Sequence, residues 1–258
     1  MTDQIIKLGD WLKTPPGLLL QAWEEEQFDE TVADIFGYHA LQLGCGPIDA
    51  LRTNRMPHRW HARSPDEPAG PAIAFATDFA ALPFGANSLD LVALPHTLEL
   101  AADPHATLRE VERVLVPEGR VIVCGLNPAS LWGLRQRRAR LYRHLGGGEL
   151  YLPGPSELIN YWRLRDWLRL LGFEVESSRF GLYRPAVRSE AWLQRCRWMD
   201  ELGERWWPIF GAAYFVVAVK RVRGMRLLPA DWKRRPAMAA APRPVAGRIS
   251  RTGKKSNP

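Results

Sequence analysis

The stretch Ala40-Leu41-Gln42-Leu43-Gly44-Cys45-Gly46-Pro47 limits the folds open to this chain more than any other. It reads as a short apolar strand, His39–Leu43, running into a glycine turn. Gly44 and Gly46 carry no Cβ, so the backbone can bend sharply there and a ligand can approach it closely. In an α/β sheet such a turn lies at the carboxyl end of a strand, where nucleotide-like ligands bind. Two glycines in an ordinary strand-to-loop turn would look the same, so the later stretches have to decide.

They repeat one pattern. Ile48–Asn54 reads as a helix, Arg59–Ala62 as a weakly marked second strand, and the Pro-, Asp- and Gly-rich run 64–71 as a loop. Ala72–Ala76 is a third strand, leading to Thr77-Asp78-Phe79. Leu89–Leu94 is a fourth, ending at Pro95-His96. Asp103 suits an N-cap and Pro104 the first helical position, where a missing N–H costs nothing. The helix that follows carries Leu108, Val111, Val114 and Leu115 at helical spacing and stops at Pro117-Glu118-Gly119. Arg120–Gly125 reads as a strand buried on both faces. Helices over Pro155–Leu171 and much of Arg184–Trp207 alternate with strands at Phe173–Arg179 and Ala212–Lys220. Such alternation implies a mostly parallel sheet with helices on both faces.

Two segments stand outside the repeat. Residues 1–37 form a helical N-terminal cap, with a break at Pro15-Pro16-Gly17, an apolar face over Leu18–Phe28 beside Glu24–Glu26, and a second turn ending at Gly37. The cap either packs on a sheet face or closes the ligand crevice, with Trp11 or Tyr38 near the substrate. Residues 126–155 form an insertion with Trp132, five arginines (Arg135, Arg137, Arg138, Arg140, Arg143) and Gly146-Gly147-Gly148. It reads either as substrate contacts or as a solvated basic helix.

Charge is uneven along the chain. Residues 220–258 hold twelve Lys or Arg against one acid, Asp231, a net of +11, which leaves −4 on residues 1–219. Beyond Gly224 the Pro-, Ala- and Arg-rich composition lacks periodicity, so 224–258 reads as a disordered basic tail able to contact nucleic acid nonspecifically. The three cysteines are widely spaced and suggest neither a zinc site nor a disulfide framework. With no recognisable signal peptide and no apolar run long enough to span a membrane, a cytoplasmic protein is expected. The six histidines support no metal site.

Several stretches agree with one family. Leu41-Gln42-Leu43-Gly44-Cys45-Gly46, Asp78, Leu82-Pro83-Phe84, Ser88-Leu89-Asp90-Leu91-Val92, Leu108–Leu115 and Pro117–Val123 stand in matching order and spacing. The chain resembles the class I, Rossmann-like S-adenosylmethionine-dependent methyltransferases, particularly the type 11 group, over roughly residues 38–125. The resemblance implies a doubly wound, mostly parallel seven-stranded sheet whose last strand is antiparallel, built from residues 1–223. It implies S-adenosylmethionine as cofactor, with Gln42, Gly44, Cys45 and Gly46 near its amino-acid and ribose parts. Asp78 would accept from the adenine amino group and the Phe79 N–H would meet a ring nitrogen. Leu94, Pro95 and His96 would border the methyl group and the substrate, with His96 as a base if the acceptor must lose a proton.

The chain departs from the family pattern at three places. Gln42 stands for the usual acid of strand 1, and Ile48 for the third glycine. The acid expected at the end of strand 2 is replaced by Arg63 and Ser64, with Asp66 and Glu67 just beyond. A nicotinamide fingerprint would need glycine at Asp49. Three functions follow: methyl transfer to a small-molecule or lipid-like acceptor, RNA methylation aided by the tail, or a binding protein of the same fold without turnover.

Overall fold

Seven strands form one sheet in the computed structural model, which describes residues 8–66, 73–144, 150–152 and 158–221. They are β1 (His39–Leu43), β2 (His58–Arg63), β3 (Phe75–Ala76), β4 (Leu89–Pro95), β5 (Leu115–Leu126), β6 (Phe173–Gly181) and β7 (Ala213–Lys220). Their order is β3-β2-β1-β4-β5-β7-β6. The first five are parallel, and β7 runs antiparallel between β5 and β6. Every residue of β7 is buried, because it is flanked by strands on both sides and covered on both faces. The doubly wound, mostly parallel seven-stranded sheet expected from the sequence is therefore the observed one.

Alternate residues of the central strands feed two cores. On one face, Leu91, Ala93, Ile122, Phe215 and Val217 pack against helix α1 (Pro15–Val32) through Leu20, Phe28 and Val32. On the other, Leu41, Leu43, Val92, Leu94, Val121 and Val123 meet the apolar stripes of helices α3 (Pro104–Val114) and α5 (Tyr161–Leu170). The short helix α2 (Thr97–Leu100) follows β4 directly, α4 (Leu131–His144) follows β5, and α6 (Glu190–Arg195) and α7 (Trp198–Trp206) join β6 to β7. Asp103 caps α3 by accepting the Ala106 N–H at 2.9 Å.

The structure corrects several sequence expectations. The break expected at Pro15-Pro16-Gly17 falls at residues 13–14, after helical residues 8–12, and Pro15 and Pro16 open α1 beyond it, since proline at the first helical positions removes only an N–H that would be unpaired anyway. The helix then runs unbroken to Val32. It packs on a sheet face, and Tyr38 stands just before β1, at the edge of the sheet opposite the glycine turn. Ile48–Asn54 is a turn, not a helix. The Gln42 side chain donates to the Ile48 carbonyl and accepts the Ala50 N–H, holding the segment as a turn. Helix α5 begins at Tyr161, with Asn160 accepting the Trp162 N–H at 3.1 Å, and residues 158–160 are not helical. The expected helix over Arg184–Trp207 is two short ones, α6 and α7. Part of strand 3 (Ala72), Gly146–Gly148, Ser156, Glu67 and the tail at 224–258 lie outside the described residues.

Candidate active site

Because β1 to β4 are parallel, the segments after them share one edge: the glycine turn, Ser64–Asp66, Thr77–Phe79 and His96–Leu100. The glycine turn is shaped by left-handed backbone at Gly44 (φ 68°) and Cys45 (φ 49°). The Gly44 N–H donates to the Ala62 carbonyl at 2.8 Å. A Cβ on Gly44 would stand 3.4 Å from the Phe79 ring and 3.8 Å from Thr97 Oγ1, so Phe79 and α2 both reach the turn. Above exposed Gly46 the space is open. A glycine turn with an open approach, beside an aromatic ring, fits the cofactor's backbone-contacting part.

Gln42 is buried beneath this turn and fully occupied by it. Its amide nitrogen donates to the carbonyls of Ile48 (2.6 Å) and Gly44 (3.3 Å), and its oxygen accepts the Ala50 N–H (2.8 Å). His61, paired with Gln42 in the sheet register, adds a 3.1 Å contact from Nε2 to the Gly44 carbonyl. Ile48 points into the core with no exposure, so its bulk stands away from the turn's open side. Gln42 thus acts on the shape of the turn, and the Ile48 side chain leaves its open side clear.

Asp78 is exposed, and its Oδ1 accepts the Ala80 N–H at 2.9 Å, making the local turn. Asp66 is exposed in the turn after β2. The Arg63 guanidinium folds back onto the Ser64 and Pro65 carbonyls, each at 3.0 Å. Leu94 and Pro95 are buried in β4.

His96 has a setting that sequence reasoning missed. It has no exposure and a left-handed backbone (φ 53°). Its Nδ1 lies 2.9 Å from Glu99 Oε2. Its Nε2 lies 2.9 Å from Glu24 Oε1 but off the hydrogen-bond axis, so that contact is Coulombic. The Cys124 thiol donates to the same Glu24 oxygen at 3.1 Å, and Glu99 Oε1 accepts the Leu126 N–H at 2.5 Å. The other Glu24 oxygen is buried without a hydrogen-bond partner. Burial by itself would push the imidazole down, but the Glu24 and Glu99 carboxylates override it and raise His96 to about 10. Burial and the Glu24 charge push the Cys124 thiol well above its usual range. The Thr97 hydroxyl donates to the Leu43 carbonyl, tying α2 to the end of β1. Glu24 could have been found: it shares a four-residue repeat with Leu20, Phe28 and Val32, the buried stripe of α1.

Comparison with known proteins agrees with this geometry. Residues 52–123 match the family model described as a methyltransferase domain. The chain is 31% identical over 172 residues to the uncharacterized protein YafS of Escherichia coli K12, covering 66% of this chain and 67% of that protein. Its fold is similar to that in the complex between the Haloferax volcanii Trm112 methyltransferase activator and a methyltransferase (19% identity, 84% of this chain and 97% of that one, TM-score 0.56). It is also similar to a SAM-dependent methyltransferase from Archaeoglobus fulgidus (18% identity, 78% and 94%, TM-score 0.52). Sheet order, glycine turn and matched family together show that the chain belongs to the class I, Rossmann-like S-adenosylmethionine-dependent methyltransferases.

Proposed function

We propose that the chain transfers a methyl group from S-adenosylmethionine to a small or lipid-like acceptor at the carboxyl edge of its sheet. The observation that carries this reading is the left-handed Gly44–Cys45 turn, open above Gly46 and held in shape from below by Gln42. Gly44, Cys45 and Gly46 would hold the cofactor's amino-acid and ribose parts, Asp78 and Phe79 the adenine, with Leu94 and Pro95 beneath. Asp66 is the nearest described acid beyond β2 for the ribose hydroxyls. When bound, the cofactor supplies an electrophilic methyl group.

The chain's own contribution is orientation. Holding two reactants in line can supply on the order of 7–11 kcal/mol of a barrier. His96 is proposed as a positioning residue: an imidazolium between Glu24 and Glu99 has no free lone pair near neutral pH, and it fixes the start of α2 beside the glycine turn.

Calorimetric titration of S-adenosylmethionine and S-adenosylhomocysteine into the parent and an Asp78→Ala variant tests the site. Micromolar binding that weakens at least tenfold in the variant is expected. Absence of heat from either ligand at millimolar concentration would refute cofactor use. Labelled methyl transfer to a low-mass extract fraction, unchanged on deleting 224–258, separates this function from RNA methylation. Cofactor binding with no methyl transfer to any fraction would leave a binding protein of the same fold.

A further inference from the structure

Two helices at this edge leave large apolar side chains in water. On α7, Trp198, Leu202 and Trp206 follow one another at four-residue spacing and are exposed, Trp206 by 66%. The side facing the protein carries Asp200, which accepts the Tyr183 N–H at 2.8 Å, and Gly203, where a Cβ would overlap the Tyr183 ring. The apolar surface continues into Trp207, Ile209 and Phe210, all exposed. On α4 the buried side carries Trp132 and Gln136, while Leu134, Leu141 and Tyr142 are exposed, Leu141 by 64%. Among these apolar residues stand Arg135, Arg137 and Arg138, all exposed, and α4 contains no acid.

The two helices are anchored on one post. The Arg184 carbonyl accepts from Trp132 Nε1 of α4 at 2.9 Å. Its guanidinium donates to Asp200 of α7 at 2.7 Å and to the Leu193 carbonyl of α6 at 3.2 Å. α4 leaves the carboxyl end of β5, and α6–α7 join the end of β6 to the start of β7. Both therefore lie at the edge onto which the glycine turn opens. Beside α4, a groove of about 500 Å³ is lined by leucines, Tyr142 and two arginines.

We propose that α4 and the α7–Phe210 segment dock on an anionic bilayer surface. Exposed tryptophans and leucines on short helices suit the boundary between headgroups and acyl chains, and interspersed arginines suit lipid phosphates. The net +11 carried by residues 220–258 adds the same sign. Two-fold pairing with a second copy would set the acid-free α4 against its own like charge. No described helix is long and apolar enough to cross a membrane, so contact is with the surface. The inference concerns binding alone and stands whether or not methyl transfer is found.

Flotation of the full chain with vesicles tests it. Phosphatidylcholine vesicles containing phosphatidylglycerol should carry the protein, and pure phosphatidylcholine should carry far less. Trp198→Ser with Trp206→Ser, or Leu134→Glu with Leu141→Glu, should weaken partitioning about tenfold or more. Arg137→Glu with Arg138→Glu should weaken it about fivefold per arginine. Melting temperatures should stay those of the parent, because all six side chains are exposed. Flotation unchanged in these variants, or abolished only by deleting 224–258, would overturn the proposal. So would absence of flotation accompanied by a dimer that the tryptophan substitutions dissociate.

Discussion

Replacing His96 with Asn removes the cation held between Glu24 and Glu99 while roughly preserving reach. Breaking a buried ion pair by removing one partner costs about 3–5 kcal/mol, because a charge is left without compensation. The proton gives a similar figure. A rise from 6.5 to about 10 in a side chain with no exposure corresponds to about 5 kcal/mol of differential stabilisation of the protonated fold. For a domain of this size the melting temperature should fall by roughly 6–20 °C. The pH dependence is the sharper signature. Below 6.5 the unfolded chain also holds the proton and the full contribution is present. As pH rises from 6.5 through 10, the fold must keep a proton that the unfolded chain has released, and the contribution drains away. Urea unfolding of parent and His96→Asn should therefore show a stability gap of about 5 kcal/mol near pH 6, about 3 near pH 8, and little above pH 10. A gap that is absent, constant, or widening with pH would refute the buried imidazolium.

Two further substitutions probe the site's construction. Gln42→Glu restores the acid usual in the family, yet it should lower stability by about 1–3 kcal/mol by denaturant unfolding, since a carboxylate oxygen would face the Ile48 and Gly44 carbonyls where an N–H now donates. Unchanged stability would show that the glycine turn is not held by that amide. Gly125→Ala should cost about 1–3 kcal/mol, because the new Cβ would stand 2.6 Å from the Tyr214 hydroxyl and 3.0 Å from Glu99 Oε1. Adding Tyr214→Phe should recover part of the loss in a melting experiment, and no recovery would place the strain elsewhere.

Local chemistry was legible along the chain. The apolar runs at His39–Leu43, Leu89–Leu94 and Arg120–Gly125 are strands because a doubly covered parallel sheet needs continuous apolar sequence. Asp103-Pro104 starts a helix because the cap and the missing N–H are properties of adjacent residues. The glycine turn declared itself because φ above zero is a demand on backbone that glycine meets.

What only the tertiary structure decided depends on residues far apart in the chain. Glu24 and Cys124 are a hundred positions apart, and no local pattern announces that the Cys124 thiol donates to Glu24 while His96 supplies the countercharge. By sequence Glu24 stands beside the apolar face of α1 because of its charge, and the cation at the end of β4 is what holds it on the buried stripe. Ile48–Asn54 has helical composition, yet the Gln42 amide binds its backbone in a turn. Pro15 and Pro16 end one helical run and open the next, and the packing of Leu20, Phe28 and Val32 on the sheet carries that second helix on to Val32. On α4 and α7 the sequence showed a basic cluster and helical character, not which side chains would be left exposed. Which side faces the protein is fixed by Arg184, whose carbonyl takes the buried Trp132 of α4 and whose guanidinium takes Asp200 of α7, leaving Leu134, Leu141, Trp198 and Trp206 in water.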